Sequence, residues 1–215
     1  ENGCADFFHD VYVKTNIVEE LEKQLSSRYW KHEVINLGGV TDSYQPAEKQ
    51  YQIMPEIWKL LIRYKNPAII STKSDLILRD FDFIAELSTL TDVNIAMTIT
   101  TVDEKIRGVL EPYSSPAAHR FAALKEFREK TNACVGVHMM PIIPCLTDSD
   151  ENLEAIFAQA KSLYLDYILP AAMNLRGQTR QHFMAFITRY FPQYQEKIAS
   201  LYRQGHLDKA YKEQL

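Results

Sequence analysis

Polar side chains with chemical reach follow each short apolar run of this chain. Val34-Ile35-Asn36-Leu37 leads through Gly38 and Gly39 into Thr41, Asp42, Tyr44 and Glu48. Ala68-Ile69-Ile70-Ser71 leads into Thr72, Lys73, Ser74 and Asp75. Val93 to Ile99 carries Thr98 and leads into Thr100, Thr101 and Asp103, with Glu111 and Arg120 just beyond. Cys134 to Val137 leads into His138, Met139, Met140 and the turn Pro141-Ile142-Ile143-Pro144, and Tyr167-Ile168-Leu169 leads towards Asn174 and Arg176. Brought to one rim, these residues would offer an ammonium, two guanidiniums, several carboxylates and a row of hydroxyls to one small polar ligand. Acid–base chemistry would need His138, Glu111 and Asp42 within hydrogen-bond reach of one another.

Each residue also has a plain structural reading. Gly38-Gly39 serves as a tight strand-to-loop turn, and Thr98 and Thr100 suit one face of a strand. His138, between Val137 and Met139, reads as a satisfied core histidine, and Arg79-Asp80 as a surface or capping pair. The chain holds no Gly-x-Gly-x-x-Gly fingerprint, Walker loop, nucleophile elbow or zinc-protease helix.

The elements that must position these groups are strands alternating with helices. Strands are expected at Val34–Gly38, 68–72, 93–100, 134–140 and 166–171. Helices are expected at 17–27, at 48–64 with Pro55 kinking it or dividing it in two, at 77–90, at 103–110 and from 114–116 to 130. Further helices are expected at 148–163, 179–190 and 192–204, with Asn16 and Asp148 or Ser149 as caps. Pro141 and Pro144 are expected to stop the fourth strand. Alternation of this kind implies a parallel sheet with right-handed crossovers, either an open doubly wound sheet or part of a (β/α) barrel. The chain reads as one domain over 1–215: a lead-in and first helix at 1–32, repeated units at 33–176, and C-terminal helices at 177–215.

Composition narrows the function classes. With 46% hydrophobic and 24% charged residues the chain is an ordinary globular sequence. A net charge of −4 argues against an extensive nucleic-acid surface while leaving room for a local basic groove. No apolar run reaches the length of a membrane span. No secretory signal is visible, and three scattered cysteines (Cys4, Cys134 and Cys145) suit a reducing, cytoplasmic setting.

Five segments, each at a strand end and in the same order, carry a family resemblance. They are Gly39 to Glu48, Ser71 to Asp80, Thr98 to Asp103, Leu110-Glu111-Pro112 and Pro141 to Pro144. On them the chain resembles the radical SAM superfamily, within it the spore photoproduct lyase-like branch related to DNA repair lyases. The resemblance implies a partial (β/α)6 TIM-like barrel of parallel strands that binds S-adenosylmethionine (SAM) and a [4Fe-4S] cluster and generates a 5′-deoxyadenosyl radical. It implies that Gly38, Gly39, Thr41 and Asp42 lie near the SAM amino group and that Lys73, followed by Ser74, reaches the SAM carboxylate. It places Thr98 and Thr100 near the ribose and Met140 to Ile142 along the adenine, and it matches Glu111 and Arg120 to recurrent family residues. It implies a flavodoxin or ferredoxin as electron donor and leaves the substrate open, with DNA or a nucleotide as one class. Ser43 and Cys145 depart from the family's usual proline and glycine.

The larger departure is the family's Cys-x3-Cys-x2-Cys loop. The first barrel strand and this loop are expected before Val11, where the sequence has Cys4 alone. One thiolate does not hold a cluster. A longer parent carrying the loop is the expectation, with a degenerate, non-catalytic SAM- or nucleotide-binding barrel as the alternative. On either, these 215 residues are expected to be inactive by themselves.

Overall fold

The computed structural model describes residues 11–203 and 206–213. Its strands are β1 (Ile35–Leu37), β2 (Ala68–Thr72), β3 (Val93–Thr98), β4 (Cys134–Ile142) and β5 (Tyr167–Ala172). Its helices are α1 (Ile17–Leu25), α2 (Glu48–Tyr51), α3 (Ile53–Tyr64), α4 (Phe81–Leu90), α5 (Glu104–Leu110), α6 (Ala117–Lys130), α7 (Asp150–Ser162), α8 (Gly177–Tyr190), α9 (Gln195–Leu201) and α10 (Lys209–Lys212). A 3-10 turn, Asp75–Asp80, precedes α4.

The five strands pair in sequence order, β1-β2-β3-β4-β5, and every pair is parallel. A doubly wound sheet reverses its order at a switch point, and this one does not. Successive crossovers of one hand that advance in one direction place their helices on one face of the sheet. The side chains agree. Ile70, Ile95, Met97, Val135 and Val137 are fully buried, and α6 packs on β3 and β4 while α3 packs between α1 and α4. The opposite face carries Asn36, Ser71, Asn94, Thr98, Gly136, His138 and Tyr167, aligned by the strand register. A second, smaller core of Ile143, Leu146, Leu175, Ile187, Ile198, Tyr202 and Leu207 seats α8 and α9 beyond the strand ends.

Three local expectations need correction. The segment after β1 divides at Gln52, whose φ is +47°, and Pro55 lies in the first turn of α3, where its missing N–H costs little. The Glu48 carboxylate accepts the Ile53 and Met54 N–H groups at 3.1 and 3.0 Å and so satisfies that helix start. β4 runs through Pro141 to Ile142, past its expected end, because its pairing with β5 is irregular between Met139 and Ile142 and tolerates a residue without a donor. Asn16 precedes α1 without a side-chain cap, whereas Ser149 does cap α7, accepting from Asn152 N.

Arg79 lies at the surface and Asp80 holds the N-cap position of α4, but the pair also closes a buried assembly. Asp80 is 1% exposed and takes both Nε and Nη2 of Arg79, at 2.8 and 2.7 Å. Arg79 also reaches Glu48 at 2.7 Å, and Asp80 accepts the Tyr44 hydroxyl at 2.9 Å, which accepts Trp58 Nε1 at 2.8 Å. Burial, with the Asp80 carboxylate alongside, holds the Tyr44 hydroxyl well above the usual phenol range. This network pins the loop after β1 to the 3-10 turn after β2.

Candidate functional site at the strand ends

The loops after β1 and β2 are joined through Asp42. One carboxylate oxygen accepts Thr72 Oγ1 at 2.6 Å and Tyr44 N at 2.9 Å, and the other accepts Lys73 N at 2.8 Å. Asp42 is thus spent on shaping the rim and does not present a free carboxylate. Gly38 makes the turn possible: its φ is +86°, and a Cβ there would lie 3.2 Å from Ser71 O. Gly39 has ordinary room for a side chain, with Asn36 Nδ2 3.7 Å from its Cβ position. Ser74 caps the 3-10 turn by accepting from Leu76 N, a structural role. Thr41 is exposed and lines, with Asp42 and Glu48, a cleft of about 240 Å³.

Lys73 leaves β2 and meets Glu111 Oε1 at 3.2 Å. Glu111 is itself held by the buried Arg120, whose Nη2 lies 2.9 Å from Oε2. Arg120 is 1% exposed and is committed on every side. Its Nε donates to Ser115 O at 2.7 Å and its Nη1 to Thr98 O at 2.5 Å, and its Nη2 also donates to Ser114 Oγ. The guanidinium therefore welds the end of β3 to the loop that carries Glu111, and Glu111 in turn sets where the Lys73 ammonium sits.

Lys73, Thr100 and Glu111 line one cavity of about 730 Å³ with Leu110, Pro141, Ile143 and Met173. Its far wall is α8, through Gln178, Thr179, His182, Phe183 and Phe186. Lys73 and Glu111 give the cavity a charged corner, and Leu110, Ile143, Met173, Phe183 and Phe186 give it apolar surface, so an occupant with a polar head and an apolar or aromatic body fits best. Thr98 is buried beneath the rim and shares a 3.2 Å hydrogen bond with Ser71. Met140 and Ile142 sit on β4 beside this cavity, but Ile142 lines a separate cleft of about 600 Å³ near Lys209 and Lys212.

Of the sequence candidates, Lys73, Thr100 and Glu111 share the cavity, while Asp42 lines the smaller cleft and holds the Lys73 backbone. His138, Glu111 and Asp42 do not form an acid–base set, since each is committed to other partners. Sequence reading passed over two contributors. The apolar α8 wall looks like any amphipathic helix face. Asn152 joins the loops after β3 and β4, accepting Val102 N and donating to Thr100 O and Thr147 O at 2.9, 3.0 and 2.8 Å. A single asparagine in the first turn of a helix carries no signal of that task.

Among the described residues no cluster of histidine, cysteine and carboxylate side chains could hold a metal ion. Cys134 opens β4 and Cys145 lies beyond its end, with about 26 Å of strand between Cys134 and Ile142. Cys4 lies outside the described residues. No helix among them is long and apolar enough to cross a membrane.

No family model matches the chain, and no solved structure does. An uncharacterized protein of Mycobacterium tuberculosis, and one of Mycobacterium bovis, are 33% identical over 215 residues, which is 100% of this chain and 63% of theirs. An uncharacterized protein of Methanocaldococcus jannaschii is 26% identical over 187 residues, 86% of this chain and 66% of that protein. The chain spans 63% of the length of the mycobacterial relatives it matches.

Proposed function

We propose that these residues form the SAM-binding partial (β/α)6 barrel of a radical SAM enzyme of the spore photoproduct lyase-like kind. The observation that carries this reading is the convergence of Asp42, Lys73, Thr100 and Glu111 at the carboxyl ends of sequentially ordered parallel strands, where barrels of this type place their chemistry. The cavity size suits a nucleoside with an amino-acid tail. Lys73 would take the carboxylate as a mobile point charge. Glu111 orients that ammonium, and the backbone of the Gly38-Gly39 turn, shaped by Asp42, would face the amino group. Thr100 is the hydroxyl on the cavity wall, and the apolar residues of α8 exclude water from the body of the ligand.

The described residues do not fit a [4Fe-4S] cluster. Its chemistry, and any flavodoxin- or ferredoxin-type donor, would come with a longer protein, and the 215 residues by themselves are expected to show no reductive cleavage of SAM. Calorimetry of the chain with SAM tests the binding half: saturable binding that weakens in Lys73→Gln supports it, and no binding ends it. Anaerobic assay of the longer protein for 5′-deoxyadenosine tests the other half. SAM binding without that product would favour the second reading, a non-catalytic SAM- or nucleotide-binding barrel, which the lack of cluster ligands among these residues keeps open.

A further inference from the structure

The helix-free face of the sheet carries an ordered line of hydrogen bonds that the strand-end cavity does not use. Tyr167 of β5 lays its ring across Gly136 of β4, where a Cβ would come within 2.5 Å of the ring carbons. Its hydroxyl thereby reaches β3 and donates to Asn94 Oδ1 at 2.7 Å. The same oxygen lies 3.3 Å from His138 Nε2, and His138 Nδ1 lies 3.0 Å from Ser71 Oγ. Ser71 Oγ lies 3.2 Å from Thr98 Oγ1.

One proton per hydroxyl couples the directions along this line. With the Tyr167 proton on Asn94, a neutral His138 donates through Nε2 and accepts at Nδ1. Ser71 therefore donates to His138, and Thr98 donates to Ser71. Among the described residues of the strands, the titratable groups that share this face with His138 are Tyr167 from β5 and Cys134 lower on β4; β2 and β3 present Ser71, Asn94 and Thr98. Burial keeps His138 below the usual imidazole range and Tyr167 and Cys134 above theirs. Near neutral pH the face therefore holds an uncharged base whose tautomer is set by its neighbours. Ser71, His138 and Tyr167 are each only partly buried, so a ligand on this face can reach them.

We propose that this face is a second site, at which Ser71 contacts a ligand bearing an acidic O–H or N–H group and His138 takes that proton through Ser71. The ligand's X–H bond breaks as its proton passes to Ser71 Oγ, and the Ser71 proton moves to His138 Nδ1. The products are a ligand anion and an imidazolium still held by Tyr167 through Nε2–H. No electron changes hands. Ser71 is the contacting group, and His138 and Tyr167 act through it. The arrangement follows the general pattern of a base within hydrogen-bond reach of a hydroxyl and oriented by a third group. It uses neither Lys73 nor Glu111, so its failure and the failure of SAM binding are read separately.

The test is nitrogen-15 NMR of His138 in the 215-residue chain, titrated with and without 4-nitrophenol. The expected free state is the Nε2–H tautomer. Bound nitrophenolate should raise the His138 midpoint by about one pH unit or more, a tenfold change in proton affinity from an adjacent opposite charge. Ser71→Ala should remove the probe's effect while the fold, followed by circular dichroism, persists. Tyr167→Phe should loosen the tautomer preference without unfolding. An Nδ1–H tautomer, or a His138 titration that 4-nitrophenol leaves unmoved, would overturn the proposal; a purely structural histidine would show the second.

Discussion

Replacing Arg120 by methionine keeps an unbranched, shorter apolar stem and removes the guanidinium. Four hydrogen bonds go with it: to Thr98 O, Ser115 O, Glu111 Oε2 and Ser114 Oγ. Glu111, 12% exposed at its side chain, is left with Lys73, whose own side chain is 37% exposed. Removing one partner of a buried pair costs about 3–5 kcal/mol. Hydrogen bonds to charged groups contribute about 1.5–3 kcal/mol each, but the four act as a unit and do not add. About 3–5 kcal/mol is therefore the expected loss, and at this chain length it corresponds to a fall in Tm of roughly 6–20 °C. Urea unfolding of the wild-type chain, Arg120→Met, Glu111→Gln and the double variant would measure it. The double variant should recover about 1 kcal/mol or more relative to the sum of the singles, because removing the carboxylate as well leaves no orphaned charge. An Arg120→Met variant within 1 kcal/mol of wild type would refute the assignment of Arg120 as the weld between β3 and the Glu111 loop.

Lys73→Gln should change stability by less than about 1 kcal/mol, since its ion pair is partly solvated, yet weaken SAM binding at least about tenfold by calorimetry. Tyr44→Phe orphans Trp58 Nε1 and removes a donor from Asp80, both buried; about 1–3 kcal/mol should be lost in urea unfolding. Gly136→Ala drives a methyl into the Tyr167 ring and should cost about 1–3 kcal/mol, partly recovered by adding Tyr167→Ala. Because burial lowers the folded-state pKa of His138, the unfolded chain binds this proton more readily. Stability should therefore fall as pH drops through the window just below 6.5 and level off below the folded value, and His138→Gln should flatten that part of a Tm-against-pH profile.

The sheet itself was readable because its pattern is local. Ala68–Thr72 is a strand in both reading and structure, and the turn chemistry after each strand announces the loops. The parallel arrangement followed from alternation alone. The choice between open and sequential sheets did not, because strand order depends on which edges meet in space. Pro55 and Pro141 misled for a related reason: proline's cost depends on whether its N–H would have been bonded, and here a helix first turn and an irregular register remove that need.

Lys73, Thr100 and Glu111 could be picked from the sequence, since each follows or lies close beyond a strand. Their common cavity, the α8 wall opposite them and the burial of Arg120 could not, because those contacts join residues from 9 to more than 100 positions apart. His138 shows the division most clearly. The sequence marked it as a satisfied histidine, and both ring nitrogens do have partners. Only the fold, by carrying Tyr167 over a strand kept bare at Gly136, decided which groups those partners are.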